Sequence, residues 1–282
     1  MTTSSASPDF DRRRFKQVER TGYNLIAARY AAASPLRATL HAALLDAADL
    51  AAGQRLLDIA SGPGILAAAA LPRVAPGGVV IASDLAEAML AESRRLHPGI
   101  LHAVADGESL PFGEARFDRV LCGLGLMFFP DEALALSEMR RVVAPGGRLA
   151  VSVWSDAAQV PLVECALACM RRLLPAPKVA RLSVFRLGEP ERLAALLATA
   201  GFTAVRVVAC ELVCCFSTEE DYWQAFLDLA GGAAGSLSRL PADTQAQLRS
   251  GVAQELASYA SAAGYRLASR VLIATGSKAT AV

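Results

Sequence analysis

Arg55-Leu56-Leu57-Asp58-Ile59-Ala60-Ser61-Gly62-Pro63-Gly64-Ile65-Leu66 carries the reading of the fold. An apolar run ends in an acid, passes through small residues and enters an Ala-rich helical pattern. That is a strand, a tight loop and a helix N-terminus. Glycines at 62 and 64 leave no Cβ between the backbone and a ligand. The helix behind them offers unpaired N–H groups and a partial positive charge. Such a loop predicts a nucleotide-like ligand.

Outward from this stretch, strands alternate with helices. Strands are predicted at 55–59, 78–82, 100–104, 117–122 and 147–154, with helices at 63–72, 86–95 and 131–143. Alternation of this kind predicts an α/β fold, a Rossmann-like, mostly parallel sheet with helices on both faces. A helix at 190–200 ends at Gly201, and strands near 203–213 and 267–275 bring the sheet to seven. Helical patterns at about 10–33 and 36–48 precede it.

Two ligand classes fit the loop. Gly62-Pro63-Gly64-Ile65-Leu66-Ala67 matches the dinucleotide fingerprint, and Asp84 stands 20 residues beyond Gly64, where a ribose-binding acid is expected. A nicotinamide enzyme would use Gly62, Gly64, Ala67 and Asp84. It would leave two acids without roles: Asp58, placed to meet a cationic amino group, and Asp106, which follows the run Ile100–Ala105. No Tyr-x-x-x-Lys pair of the short-chain dehydrogenase type is present.

Four pieces in order carry a more specific signal: Leu57–Gly64, Ser83–Leu90, Ala105–Phe112, and Glu138-Met139-Arg140-Arg141 through Pro145-Gly146-Gly147. Together the chain resembles class I S-adenosylmethionine-dependent methyltransferases, and most closely their ubiquinone/menaquinone-biosynthesis-like, small-molecule branch. The resemblance covers roughly residues 20–155. It departs at Ala60, where the family has Gly. Ala60 resists positive φ, so a slightly displaced loop is expected.

The resemblance implies S-adenosyl-L-methionine as cofactor and assigns roles. Asp84 takes the ribose hydroxyls, with helix capping as its structural alternative. Leu85 and Met89 lie against the adenine, Asp106 receives the adenine amino group, and the backbone at Gly107 and Glu108 touches the ring. Asp58 orients the methionine amino group, with Ala60, Ser61, Gly62, Gly64 and the Cys122 carbonyl around the same part. Tyr23 or Tyr30 covers the cofactor and bonds its carboxylate, though each serves equally as core.

Methyl transfer needs mainly alignment and a dry pocket, so no catalytic side chain is assigned. A phenol or enol acceptor needs a base, for which Glu19, Tyr23 and Glu164 are candidates. His41, His97 and His102 read as structural. The chain has no Asn/Asp-Pro-Pro-Tyr signature of nucleobase amino-methylation and no Pro-Cys nucleophile. The expected activity is therefore methylation of O or C in a small apolar metabolite: a quinone precursor, aromatic or polyketide-like molecule of secondary metabolism. A nicotinamide oxidoreductase and a non-methylating binding protein on the same fold are the alternatives.

Apolar residues make up 54% of the 282 and charged residues 20%, enough for one large α/β unit with a cap. A net charge of +1 offers no field for nucleic acid. Arg12-Arg13-Arg14-Lys16 reads as the solvated start of a helix. No signal peptide or membrane span is predicted, so a cytoplasmic protein is expected. The six cysteines read as buried small hydrophobes and no metal site is assigned, although Cys165 and Cys169 share a helix face.

The expected organisation is a disordered tail (1–9), N-terminal helices over the cofactor (10–50) and the cofactor-binding core (51–154). A helical cap insertion (155–188) follows, then the end of the sheet (189–282) with a second helical insertion near 217–265. The insertions either pack as core or close an apolar acceptor pocket. A homodimer stays open.

Overall fold

A computed structural model describes residues 10–237 and 239–280. The tail expected at 1–9 lies outside the described residues. Helix α1 (Arg12–Ala32) begins at Asp11, whose carboxylate accepts the Arg14 amide at 2.9 Å. A 3-10 turn started by Ser34-Pro35 leads into α2 (Ala38–Ala48).

The central unit follows as β1 (Arg55–Ile59), α3 (Ile65–Val74), β2 (Val79–Asp84), α4 (Glu87–Leu96), β3 (Leu101–Val104), β4 (Phe117–Gly123), α5 (Glu132–Val142) and β5 (Val143–Trp154). After it come α6 (Pro161–Leu173), α7 (Pro190–Thr199), β6 (Thr203–Phe216), α8 (Glu219–Leu229), α9 (Gly231–Leu237), α10 (Ala242–Leu256), β7 (Ala260–Ser261) and β8 (Gly264–Ser277). The strand order is β3-β2-β1-β4-β5-β8-β6, and the two-residue β7 pairs only with β8. Strands β1 to β5 run parallel, while β8 is antiparallel to both of its long neighbours. The expected Rossmann-like sheet of seven strands is present, with β7 as a short addition.

Leu56, Leu57, Asp58 and Ile59 of β1 are all buried, the mark of a strand covered on both faces. β5 starts earlier than its expected residue 147. It pairs from Val143, and its register against β4 slips at the Pro145-Gly146-Gly147 turn, where Gly146 takes φ +75°. The chain crosses from β1 to β2 on one side and to β4 on the other. That reversal opens a crevice at the carboxyl ends of the strands.

Two segments stand over this crevice. Helices α6, α8 and α10 pack together, and Tyr222 ties two of them by donating to the Leu162 carbonyl and accepting from the Ala166 amide, each at 3.1 Å. α9 lies across α1, where a Cβ on Gly22 would strike the Gly231 carbonyl, so the crossing is as close as backbones allow. Among the described residues no helix is long and apolar enough to cross a membrane.

Candidate active site

The crevice holds a cleft roofed by α1. Its floor is the end of β2 and the loops after β1 and β3. At the end of β2, Asp84 accepts the Gly62 amide at Oδ2 and the Ala86 amide at Oδ1, both at 2.8 Å. Burial raises its pKa, and these amides oppose the rise. Leu85, Met89, Asp106 and Gly107 complete this wall. A Cβ on Gly107 would come within 2.6 Å of the Phe129 ring, so glycine keeps that side open.

Helix α1 roofs the cleft through one charged face. Lys16 Nζ lies 2.6 Å from Asp106 Oδ2 and 2.7 Å from Glu108 Oε2. One turn earlier Arg12 meets Asp131 at 2.9 Å, one turn later Arg20 pairs with Glu87, and Asn24 accepts the Ala88 amide at 2.9 Å. The basic start of α1 is therefore not simply solvated: Arg12 and Lys16 are spaced one turn apart and both reach acids on the loops below.

Beside the cleft a smaller recess shares Tyr30, Ala60 and Gly62 with it. Asp58 faces this recess fully buried, and among the described residues neither of its oxygens has a hydrogen-bond partner. Burial drives its pKa well up, the Asp84 charge adds to this, and the Ala67 amide dipole opposes it. Arg37 lines the same recess at 5% exposure. Its guanidinium stacks 4.0 Å from the Tyr30 ring centroid and donates to the Tyr30 carbonyl at 3.3 Å, with no carboxylate in ion-pair range among the described residues. Burial and Arg37 push His41 down to about 4, so it is neutral at pH 7.

Under the cap lies a third cavity, joined to the cleft through Glu19, Tyr23, Tyr30, Leu124 and Phe128. Leu162, Val163, Leu167 and Phe226 make its far side apolar. At the junction Tyr23 meets Tyr30 and Phe128 edge-on, with centroids 5.8 Å apart in both pairs. Arg186 steadies the loop after β4 by donating to the Phe129 carbonyl at 2.7 Å and pairing with Glu132 at 2.8 Å.

Several expected positions fall elsewhere. Gly64 does not face the cleft: a Cβ there would collide with Ser93 of α4, so the glycine serves helix packing. Ala60 does not resist its loop; it adopts φ +54° and lines both the cleft and the recess. Ser61 lines only the recess, and Cys122 is buried behind Gly123, which lines both. Glu108 is absent from the cleft lining, and its amide donates to Asp106 Oδ1 at 3.0 Å. Helix α4 begins with Ala86 at its cap, so Asp84 is not the capping residue. Glu164 pairs with Arg171 and lines none of the three cavities. Burial pushes the Tyr23 phenol well up, which removes it as a base near neutral pH. Lys16, Arg37, Phe128 and Arg181 were missed. Only the i, i+4 spacing of Arg12, Lys16 and Arg20 signalled any of them.

The chain is similar to known proteins. Residues 57–151 match the family model described as a methyltransferase domain. The ubiquinone/menaquinone biosynthesis C-methyltransferase UbiE of Bordetella avium is 40% identical over 146 residues, 49% of this chain and 57% of that protein. The chain thus spans little more than half the length of the curated relatives it matches. A Bacillus halodurans protein solved as a putative methyltransferase superposes with a TM-score of 0.58 at 20% identity, covering 85% of this chain and 99% of that one. A Haemonchus contortus phosphoethanolamine N-methyltransferase 2, solved in complex with S-adenosyl-L-methionine, gives 0.56 at 19% identity over 89% and 57%. The two structural likenesses show the fold.

Proposed function

We propose that this chain, whose residues 57–151 are a methyltransferase domain of the class I S-adenosylmethionine-dependent kind, transfers a methyl group from S-adenosylmethionine to O or C of a small apolar acceptor. The observation that carries this reading is that two buried groups of opposite kind line the recess, the carboxyl of Asp58 and the guanidinium of Arg37, and among the described residues neither has an ionic partner. A buried charge without a partner costs several kcal/mol. An α-amino carboxylate brings an ammonium and a carboxylate together and matches both at once.

The neighbouring cleft fits the rest of that cofactor. Asp84 keeps lone pairs free for ribose hydroxyls, Leu85 and Met89 offer apolar faces to a purine, and Asp106 can accept from an exocyclic amino group. When bound, S-adenosylmethionine supplies a methyl carbon already activated on a positively charged sulfur. The chain's own residues align and exclude water. Tyr23, Tyr30 and Phe128 narrow the junction so that an acceptor in the apolar chamber meets the cleft at one point.

A quinone precursor or another aromatic or polyketide-like ring suits the chamber. The similarity to a protein named for quinone biosynthesis supports the first of these. The nicotinamide alternative is disfavoured by topology, because the dinucleotide sheet ends in parallel strands while β8 here is antiparallel. The cysteines of the described chain are all unpaired, which supports a reducing, cytoplasmic setting. Calorimetric titration tests the reading: S-adenosylhomocysteine should bind with micromolar affinity and NADH should not. Binding of NADH alone would overturn it.

A further inference from the structure

Glu19 is the odd group in the acceptor chamber. It is 7% exposed, lies on α1 where cleft and chamber join, and faces both. Its Oε1 pairs with Arg181 at 2.6 Å, while among the described residues its Oε2 has no hydrogen-bond partner. Arg181 is itself anchored by donating to the Gly232 carbonyl at 3.2 Å. A Cβ on Gly232 would strike Arg181 Nη2 and stand 2.6 and 2.7 Å from the two carboxylate oxygens, so glycine there lets the backbone of α9 pack directly against this ion pair. Around this pair the chamber is lined by Trp154, Leu162, Val184 and Phe226. An unpartnered carboxylate oxygen in such surroundings wants a donor from a ligand.

We propose that Glu19 is the proton acceptor for an apolar substrate bearing an acidic hydroxyl, a phenol or enol, with Arg181 as the cation that balances the oxyanion formed. This rests on the methyl-transfer reading. In the step the substrate O–H bond breaks, its electron pair stays on the substrate oxygen, and the proton forms a new O–H bond at Oε2 of Glu19. After product leaves, the proton passes to solvent.

The charge count selects a hydroxyl over an amine. Glu19 and Arg181 cancel, and Arg37, which also lines the chamber, adds a positive charge, so a neutral hydroxyl can pass its proton to Glu19 with the resulting oxyanion facing cations. An ammonium group would add an unbalanced charge to an apolar cavity. Burial raises Glu19 above the ordinary carboxylate range and Arg181 opposes the rise, which brings its proton affinity closer to that of a phenol. Tyr23, the titratable neighbour on the same helix, is pushed well up and does not compete.

The test uses the full chain saturated with S-adenosylhomocysteine and 4-nitrophenol as probe, below that phenol's own pKa. Visible absorbance reports the bound anion, and calorimetry in two buffers of different ionisation enthalpy counts protons released. The expected result is a bound anion with no proton released to buffer, because the proton stays on Glu19. In Glu19→Gln each anion bound should release one proton. No bound anion, no binding of the probe, or proton release by the unsubstituted protein would each overturn the proposal, and none of these needs a variant. Failure of S-adenosylhomocysteine to bind in the first titration would instead sink the methyl-transfer reading.

Discussion

The Gly62 amide donates to Oδ2 of Asp84 at 2.8 Å, so the loop after β1 and the end of β2 behave as one rigid piece of the cleft. The second oxygen holds Ala86 just before α4. Asp84→Ala leaves both amides without acceptors. We expect a stability loss of about 1–3 kcal/mol and at least a ~30-fold weaker S-adenosylhomocysteine affinity, roughly 2 kcal/mol. Asp84→Asn, which keeps one acceptor oxygen, should lose less of both. Thermal unfolding and calorimetry read the two effects.

Asp58 has a folded-state pKa above its ordinary value, so the stability it contributes is present at low pH and lost as pH rises. Asp58→Asn removes that pH dependence. The unfolding midpoint of the ligand-free variant, relative to the unsubstituted protein, should rise as pH increases above the ordinary carboxylate range. S-adenosylhomocysteine affinity should fall at least ~tenfold, about 1.4 kcal/mol, because the ammonium loses its counter-ion. A flat difference in midpoint would show that Asp58 is not buried as described.

His41 shifts the other way, from 6.5 to about 4. A base with a depressed folded pKa gives stability that is present above pH 6.5 and lost as pH falls toward 4. The shift corresponds to about 3 kcal/mol at most. A His41→Gln variant should lose much less stability across that window in pH-dependent chemical denaturation.

The charged face of α1 makes its docking sensitive to salt. Lys16, Arg12 and Arg20 sit on acids across the cleft, and the outer two pairs are half exposed. Exposed pairs of this kind contribute about 0–1 kcal/mol each and are screened at high ionic strength. Amide exchange of residues 12–24 should therefore speed up several-fold in about 0.5 M NaCl, while that of β1 and β4 stays unchanged. Lys16→Met should show the same acceleration at low salt.

Ala60 holds φ +54° in a position where a Cβ is strained. The left-handed region costs a non-glycine residue about 1–2 kcal/mol, against about 0.5–1 kcal/mol of extra chain entropy for glycine. Ala60→Gly should stabilise the ligand-free protein by roughly 0.5–1 kcal/mol, measured by denaturant unfolding.

Sequence by itself determined the order of strands and helices and the residues that end them. The apolar run before Asp58, the small residues at 60–64 and the Asp-Gly at 106–107 are local signals, set by side-chain period and turn chemistry. They placed β1, β2 and β4 to within a residue or two, and with them the acids now found on the cleft floor. What lay beyond reach depended on partners far along the chain. Lys16 meets Asp106 across 90 residues, and Glu19 meets Arg181 across more than 160. Gly64 and Glu164 looked functional in isolation, yet one packs against Ser93 and the other turns toward Arg171. No periodicity encodes which of two helix faces meets which loop. That choice is made only when the sheet, α1 and the cap close on each other and every buried charge must find a partner or wait for a ligand.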